Sequence, residues 1–357
     1  MVRVGVVGFG VSGKIFHAPL IAAVEGLELA AVVERHSRHA EAQYPGITTY
    51  SSLEAMLGDP TLELIVIGTP NLSHVPMALA VLDARRNVVV DKPTAITSAE
   101  VAALAAHARK AERLLIPYHN RRFDSDFRLL QKMLHKEQLG RVVSFESTFD
   151  RWRPVPKHGV WREQAGPGTG TLLDLGTHLI DQALLLFGLP LGVAAEVGTE
   201  RESGHTIDSF SVRLRYEDKM ATLAANNLAS LPRPRYTVRG TKGNYVKWGL
   251  DSQEEKLKAD PRIVEPGWGV ELAANWGTLA VDMGNGDMVT RPVEPPPGDY
   301  RIFYEGVRDA ILGKTAAPVL PLDAWKAARV IEWAMESSKA RREIACCWDE
   351  ELSALFG

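Results

Sequence analysis

Apolar residues fall along the first 120 positions in short dense runs, at 2–7, 29–33, 64–68, 88–90 and 114–117, built mostly of Val, Ile and Leu. Strands covered on both faces read this way, whereas one wet face imposes alternation. Between these runs, 14–23, 51–57, 74–84 and 99–112 carry helical patterns. The resulting βαβαβ rhythm predicts a doubly wound parallel sheet.

Beyond residue 120 the pattern changes. Residues 124–136 read as a helix, and 142–151 alternate as a strand with one wet face. A glycine-rich loop at 166–171 leads into an apolar helix at 172–187. Residues 193–200, 209–216, 220–226, 236–239 and 245–248 follow as strands with no helix among them, which predicts a largely antiparallel sheet. Residues 251–297 are rich in Gly, Pro and Trp and read as irregular, with Trp268 and Trp276 in a packed loop. Helices are expected at 301–312 and 323–339. The fold class is α/β: an N-terminal Rossmann-type doubly wound parallel sheet plus a C-terminal α+β domain with a large, mostly antiparallel open sheet.

The chain has 357 residues, enough for about two domains. Apolar residues make up 45% and charged residues 24%, as in an ordinary globular protein. Net charge is -3 with no block of Lys and Arg, which argues against nucleic acid or an anionic membrane as a partner. No apolar run reaches the roughly 20 residues of a membrane span, and the first residues read as a strand, not a signal peptide. Cys346 and Cys347 are adjacent, so neither a disulfide framework nor a zinc site is expected, and a reducing cytoplasm fits.

Gly8-Phe9-Gly10-Val11-Ser12-Gly13 follows the first strand directly, and Lys14 and Ile15 open the helix behind it. A strand, a G-x-G-x-x-G turn and a helix are the context in which this motif cradles a pyrophosphate. Gly8 makes the turn, Gly10 admits the phosphate to the backbone, and Gly13 lets helix pack on strand. Glu34 ends the second strand, where an acidic residue accepts from the adenosine ribose and disfavours a 2′-phosphate. Arg35, His36, Ser37 and Arg38 beside it have the opposite tendency. The expectation is NAD or NADP, with NAD favoured. Thr69-Pro70-Asn71 ends the third main strand at the sheet's carboxyl edge, where ligands bind, and His74 lies just beyond. Asp91-Lys92-Pro93 closes the fourth. Asp174 and His178 are four residues apart on the apolar helix, so carboxylate and imidazole share a face, and imidazole is suited to moving a proton near neutral pH.

The glycine turn, Asp91-Lys92-Pro93 and Asp174-x-x-x-His178 together resemble the glucose–fructose oxidoreductase/inositol dehydrogenase/rhizopine catabolism family (Gfo/Idh/MocA). The likeness includes residues 12–19, 118–124, Trp161-Arg162, 170–178 and 335–338. Residues 118–124 with 151–154 look like the scyllo-inositol dehydrogenase branch. The resemblance implies hydride transfer between a nicotinamide cofactor and a hydroxyl-bearing carbon of a cyclic polyol or sugar. It implies Lys92 on the substrate hydroxyl and nicotinamide ribose, His178 as acid/base and Asp174 orienting the substrate. It also places Asn120 and Arg122 near the nicotinamide and uses Trp161 and Arg162 to help close the site. Tyr118, His119, Arg122 and Arg153 would suit a substrate with many hydroxyls. No metal is called for. Two departures stand out: Asp91 replaces the family's usual Glu, and Glu34 stands where the NADP-using branch has small hydroxyl residues. The corresponding domains are 1–120 for the dinucleotide and 121–357 for substrate and oligomerisation, with helix 323–339 returning to the first. A homodimer or homotetramer is expected, because a broad open sheet calls for cover. Two alternatives share the motifs: a glycoside-cleaving enzyme that recycles bound NAD, and a non-catalytic dinucleotide sensor.

Overall fold

A computed structural model describes residues 1–262, 264–284, 286–348 and 351. The chain forms two compact units. The first comprises 1–123, 252–268 and 299–325, and the second comprises 124–251, 269–298 and 326–357. A single boundary near 120 differs from this division: residues 252–268 and 299–325, which such a boundary assigns to the second domain, belong to the first unit. Helix formation and strand runs report local structure only, so a segment returning from far along the chain carries no local mark of its destination.

The first unit holds six parallel strands: β1 (Val2–Val7), β2 (Leu27–Val33), β3 (Thr48–Tyr50), β4 (Leu64–Ile67), β5 (Asn87–Val90) and β6 (Leu115–Pro117). Their order is β3-β2-β1-β4-β5-β6, with the strand order reversing beside β1. That reversal is the switch point at which open α/β sheets bind dinucleotides. The helices between them are α1 (Ala18–Ala23), α2 (His39–Gln43), α3 (Leu53–Leu57), α4 (His74–Asp83) and α5 (Ser98–Ala111). The short β3 and α2 escaped the pattern reading. Thr97 and Glu100 begin α5 with a reciprocal capping box.

Burial on both faces explains the dense apolar runs. On β4, Leu64 and Val66 enter one core, and Ile65 and Ile67 enter the other. The first core is completed by Trp268, Tyr300, Phe303, Tyr304 and Val307 from the returning segments. Trp268 is buried edge-on to Tyr300, their ring centroids 6.0 Å apart.

The second unit is built on nine strands: β7 (Val142–Thr148), β8 (Gly192–Gly198), β9 (Ser209–Arg215), β10 (Met220–Asn226), β11 (Tyr236–Gly240), β12 (Gly243–Lys247), β13 (Gly277–Asp282), β14 (Met288–Val293) and β15 (Ile344–Ala345). They run β14-β13-β12-β11-β7-β10-β9-β8-β15. All neighbours are antiparallel except β7 and β10. Helices α6 (Ser125–His135) and α7 (Thr177–Phe187) belong to this unit, and α7 packs against β10. The region expected to be irregular instead contains α8 (Gln253–Ala259) and the β13–β14 hairpin, which widens the sheet. Its glycines and prolines obscured the period-two signal, and β14 is exposed almost throughout. Helices α9 (Arg301–Ile311) and α10 (Pro321–Ala340) fall close to their expected places. No helix among the described residues is long and apolar enough to cross a membrane.

Candidate active site

In the first unit the glycine turn is shaped as the motif requires. Gly8 has φ +92°, and a Cβ there would meet Gly68 O and Thr69 Cγ2 at 3.2 Å. A Cβ on Gly13 would lie 1.9 Å from Gly8 O, so the turn and the following helix touch backbone to backbone. A Cβ on Gly10 would meet nothing within 4 Å. A turn closed on its protein side and open at its middle glycine fits a dinucleotide pyrophosphate. Residues Ser12–His17 form a wide π-type turn before α1, not the regular helix that the spacing predicts. Lys14 and Val11 are exposed, Phe9 packs edge-on to Tyr44, and Ile15 is half-buried against the core.

Glu34 does not project into solvent. Its Oε1 accepts from Ser37 Oγ at 2.7 Å and its Oε2 from the Ala40 amide at 2.8 Å, so the carboxylate braces the loop into α2. Arg35 and Arg38 are exposed, and Arg38 pairs with Glu41 at 2.9 Å.

Asp91 is nearly buried at the carboxyl end of β5. Its Oδ2 accepts from Ser12 Oγ at 2.5 Å, and its Oδ1 accepts from the Lys92 amide at 2.7 Å. Burial favours the neutral acid, yet His17, Lys92 and the Ser12 hydroxyl outweigh it and hold the carboxyl well below its usual range. Lys92 is half-exposed and precedes Pro93 through a cis peptide.

Several expected cofactor or substrate contacts serve the unit's own architecture. His74 is fully buried, its ring nitrogens 2.8 Å from Pro93 O and 2.9 Å from Thr69 O. It therefore braces the two loops that carry Thr69-Pro70-Asn71 and Lys92. Pro70 is exposed and Asn71 buried. Tyr118 is buried, donates its hydroxyl to Phe16 O at 2.8 Å and packs on Phe303. Arg122 pairs with Asp323 at 3.2 Å, and its neighbour Arg121 with Glu254. His119 and Asn120 are buried beside them. The partners of Tyr118, Arg121 and Arg122 lie about one to two hundred residues away, beyond the reach of any sequence pattern.

In the second unit Asp174 lies within another wide turn, Leu172–Gly176, and His178 lies just beyond it in α7. Such π-type turns favour functional sites. Gly170 (φ +92°) sets its approach: a Cβ there would fall 2.8 Å from Thr206 Oγ1. The partly exposed Asp174 carboxylate lies 3.8 Å from Arg151 and 3.7 Å from Arg162. Arg162 also stacks on Trp161, 4.4 Å from its ring centroid, and Arg151 on Phe149, at 4.6 Å. His178 is buried, its Nδ1 sealed from solvent. Arg153 is exposed and is fixed through its amide to Asn227 O. No motif marks Arg151 as a site residue; the only sequence signal for it is an arginine-rich stretch after a strand. Among the described residues, no cluster of three or more His, Cys, Asp or Glu side chains could hold a metal.

The family model for the oxidoreductase NAD-binding Rossmann fold matches residues 2–119, and that for the oxidoreductase C-terminal alpha/beta domain matches 131–346. The chain belongs to the Gfo/Idh/MocA oxidoreductase family. As a member it is an NAD(P)-dependent oxidoreductase. Its relatives include the oxidoreductase YdgJ of Escherichia coli (strain K12), 40% identical over 340 residues, which covers 95% of this chain and 97% of that protein. The scyllo-inositol 2-dehydrogenase (NADP(+)) IolW of Bacillus subtilis (strain 168) is 33% identical, over 96% of this chain and 95% of IolW. The solved structure of the oxidoreductase YPO2259 of Yersinia pestis superposes with a TM-score of 0.91 at 40% identity, covering 97% of both chains.

Proposed function

We propose that this Gfo/Idh/MocA enzyme is a dehydrogenase acting on a ring hydroxyl of an inositol-like cyclic polyol or sugar. The observation that carries the reading is the second unit's wide turn: an accessible carboxylate, Asp174, set between two guanidinium groups and one turn before an imidazole. Neighbouring hydroxyls need several fixed donors and acceptors, and this cluster supplies both. The resemblance to a scyllo-inositol dehydrogenase over nearly the whole chain supports the substrate class.

Residues of the glycine turn, Gly8 to Ile15, would hold the pyrophosphate, with Thr69, Asn71 and Pro93 at the same sheet edge. When bound, the nicotinamide supplies the two-electron acceptor or donor. In the oxidation direction His178 takes the hydroxyl proton at Nε2, since Nδ1 is sealed. The Lys92 ammonium would stabilise the alkoxide that develops as that proton leaves. Asp174 accepts from an adjacent hydroxyl. Asn120 and Arg122 would hold the nicotinamide, and Trp161 and Arg162 would help exclude water.

NAD is the preferred cofactor on the strength of the Glu34 carboxylate, fixed by Ser37 and Ala40 at the end of β2. The assay is a screen of inositols, aldoses and sugar acids with each cofactor, read by absorbance of the reduced form. A large preference for NADP overturns the Glu34 argument; no turnover of any polyol or sugar overturns the substrate class. Lys92→Ala and His178→Ala each lower kcat by roughly 100-fold or more while dinucleotide binding survives; near-native kcat in either variant refutes that residue's role. A homodimer covering the nine-stranded sheet is the expected assembly, checked by light scattering.

A further inference from the structure

The proton and hydride steps use neither His17 nor Tyr304, yet both are completely buried at the first unit's dinucleotide turn. His17 ends the wide turn that starts at Ser12. Its Nδ1 lies 2.7 Å from the Tyr304 hydroxyl, which α9 brings from 287 residues away. Its Nε2 makes no hydrogen bond to another described residue and stands 3.8 Å from Asp91 Oδ2. The ring has no room to turn away. Tyr118 packs on it with centroids 4.4 Å apart, and a Cβ on Gly68 would already touch its Cδ2 at 3.3 Å.

Asp91 is where these contacts act. One carboxylate oxygen takes the Ser12 hydroxyl of the phosphate-binding turn, and the other takes the backbone amide of Lys92. Two bonds on different oxygens fix the plane of the carboxylate and so the direction in which the chain leaves β5. A buried anion keeps such a geometry only if its charge is met. The imidazole edge supplies that on the Oδ2 side, and the Tyr304 hydroxyl holds the imidazole in place.

We propose that His17, braced by Tyr304, is a positioning residue for Lys92 that acts through the Asp91 carboxylate. This rests on the reading of Lys92 as the residue that meets the alkoxide. Because Ser12 shares the same carboxylate, the phosphate-binding turn and the lysine are set as one piece.

The test uses two variants of the full-length enzyme. Tyr304→Phe removes only a hydroxyl; His17→Asn keeps a polar side chain. Three quantities are measured: kcat and KM, affinity for the reduced dinucleotide by fluorescence, and acetylation of Lys92 relative to exposed Lys110 in the dinucleotide-saturated enzyme, by mass spectrometry. Both variants should lower kcat about tenfold or more with KM little changed, since misplacement by an ångström costs up to about a hundredfold. Dinucleotide affinity should hold, and the Lys92-to-Lys110 labelling ratio should rise as the ammonium is released. An unchanged ratio overturns the proposal, as does a kcat loss that merely follows a fall in melting temperature and dinucleotide affinity. Should His17→Asn fail to fold, Tyr304→Phe decides alone. Lys92→Ala separates the two readings: if it keeps full turnover, the role given to Lys92 in catalysis falls, whereas a shifted labelling ratio in Tyr304→Phe still reports how the lysine is held.

Discussion

Two glycines of one turn should fail in opposite ways when given a methyl group. Gly13→Ala places a Cβ 1.9 Å from Gly8 O and 3.0 Å from Gly8 C, about 1 Å inside the 3.0 Å that real Cβ contacts respect. The obstacle is backbone on both sides, so β1 and the helix start must part. Overpacking of this kind costs about 3 kcal/mol. At roughly 2–4 °C per kcal/mol for a domain of that size, the ligand-free melting temperature falls by about 6–12 °C. Gly10→Ala meets nothing within 4 Å, and Gly10 is not among the positive-φ glycines. Its added methyl stiffens the unfolded chain and should leave stability unchanged or raise it by about 0.5 kcal/mol. That same methyl stands where the pyrophosphate must reach the backbone. Dinucleotide affinity should therefore fall at least about tenfold, or 1.4 kcal/mol. Thermal melts without ligand, together with fluorescence titration of the reduced cofactor, read both effects. If Gly10→Ala melts as low as Gly13→Ala, or binds dinucleotide as tightly as wild type, the assignment of packing to one glycine and ligand approach to the other is wrong.

Two further predictions concern the second unit. Asp126 is buried, and burial with the nearby Asp251 charge pushes it up from 3.8 to about 6, against the pull of Arg235 and Lys247. The folded state thus binds this proton more tightly than the unfolded chain. Its stabilising contribution is complete below about pH 4 and is lost as pH rises through 6. Asp126→Asn should flatten that part of the profile, seen by comparing urea midpoints of variant and wild type at pH 4.5 and pH 7.5; parallel profiles would refute the placement. Arg201 is buried between Asp208, at 2.8 Å, and Glu163, at 2.6 Å, and so ties the Trp161–Glu163 turn to the sheet. Arg201→Met leaves two carboxylates without their cation and should cost about 3–5 kcal/mol in urea unfolding. A loss below about 1 kcal/mol would mark the pair as solvent-screened.

The sequence by itself determined the parallel sheet, because strands buried on both faces must be apolar throughout. It also determined the glycine turn, because only certain backbone geometries admit a phosphate, and it singled out the short list of groups able to move a proton or stabilise an alkoxide. All of these are fixed within a few residues of chain. The tertiary structure alone decided which polar groups are already spoken for. His74 and Tyr118 look like ligand contacts in the sequence, yet they place their polar atoms on Thr69 and Pro93 and on Phe16. Tyr304 gained its role in the same way, by arriving from 287 residues along the chain. Short-range periodicity records how a segment solves its own burial. Which distant partner then meets a hydrogen-bonding group is settled only when the whole chain has packed.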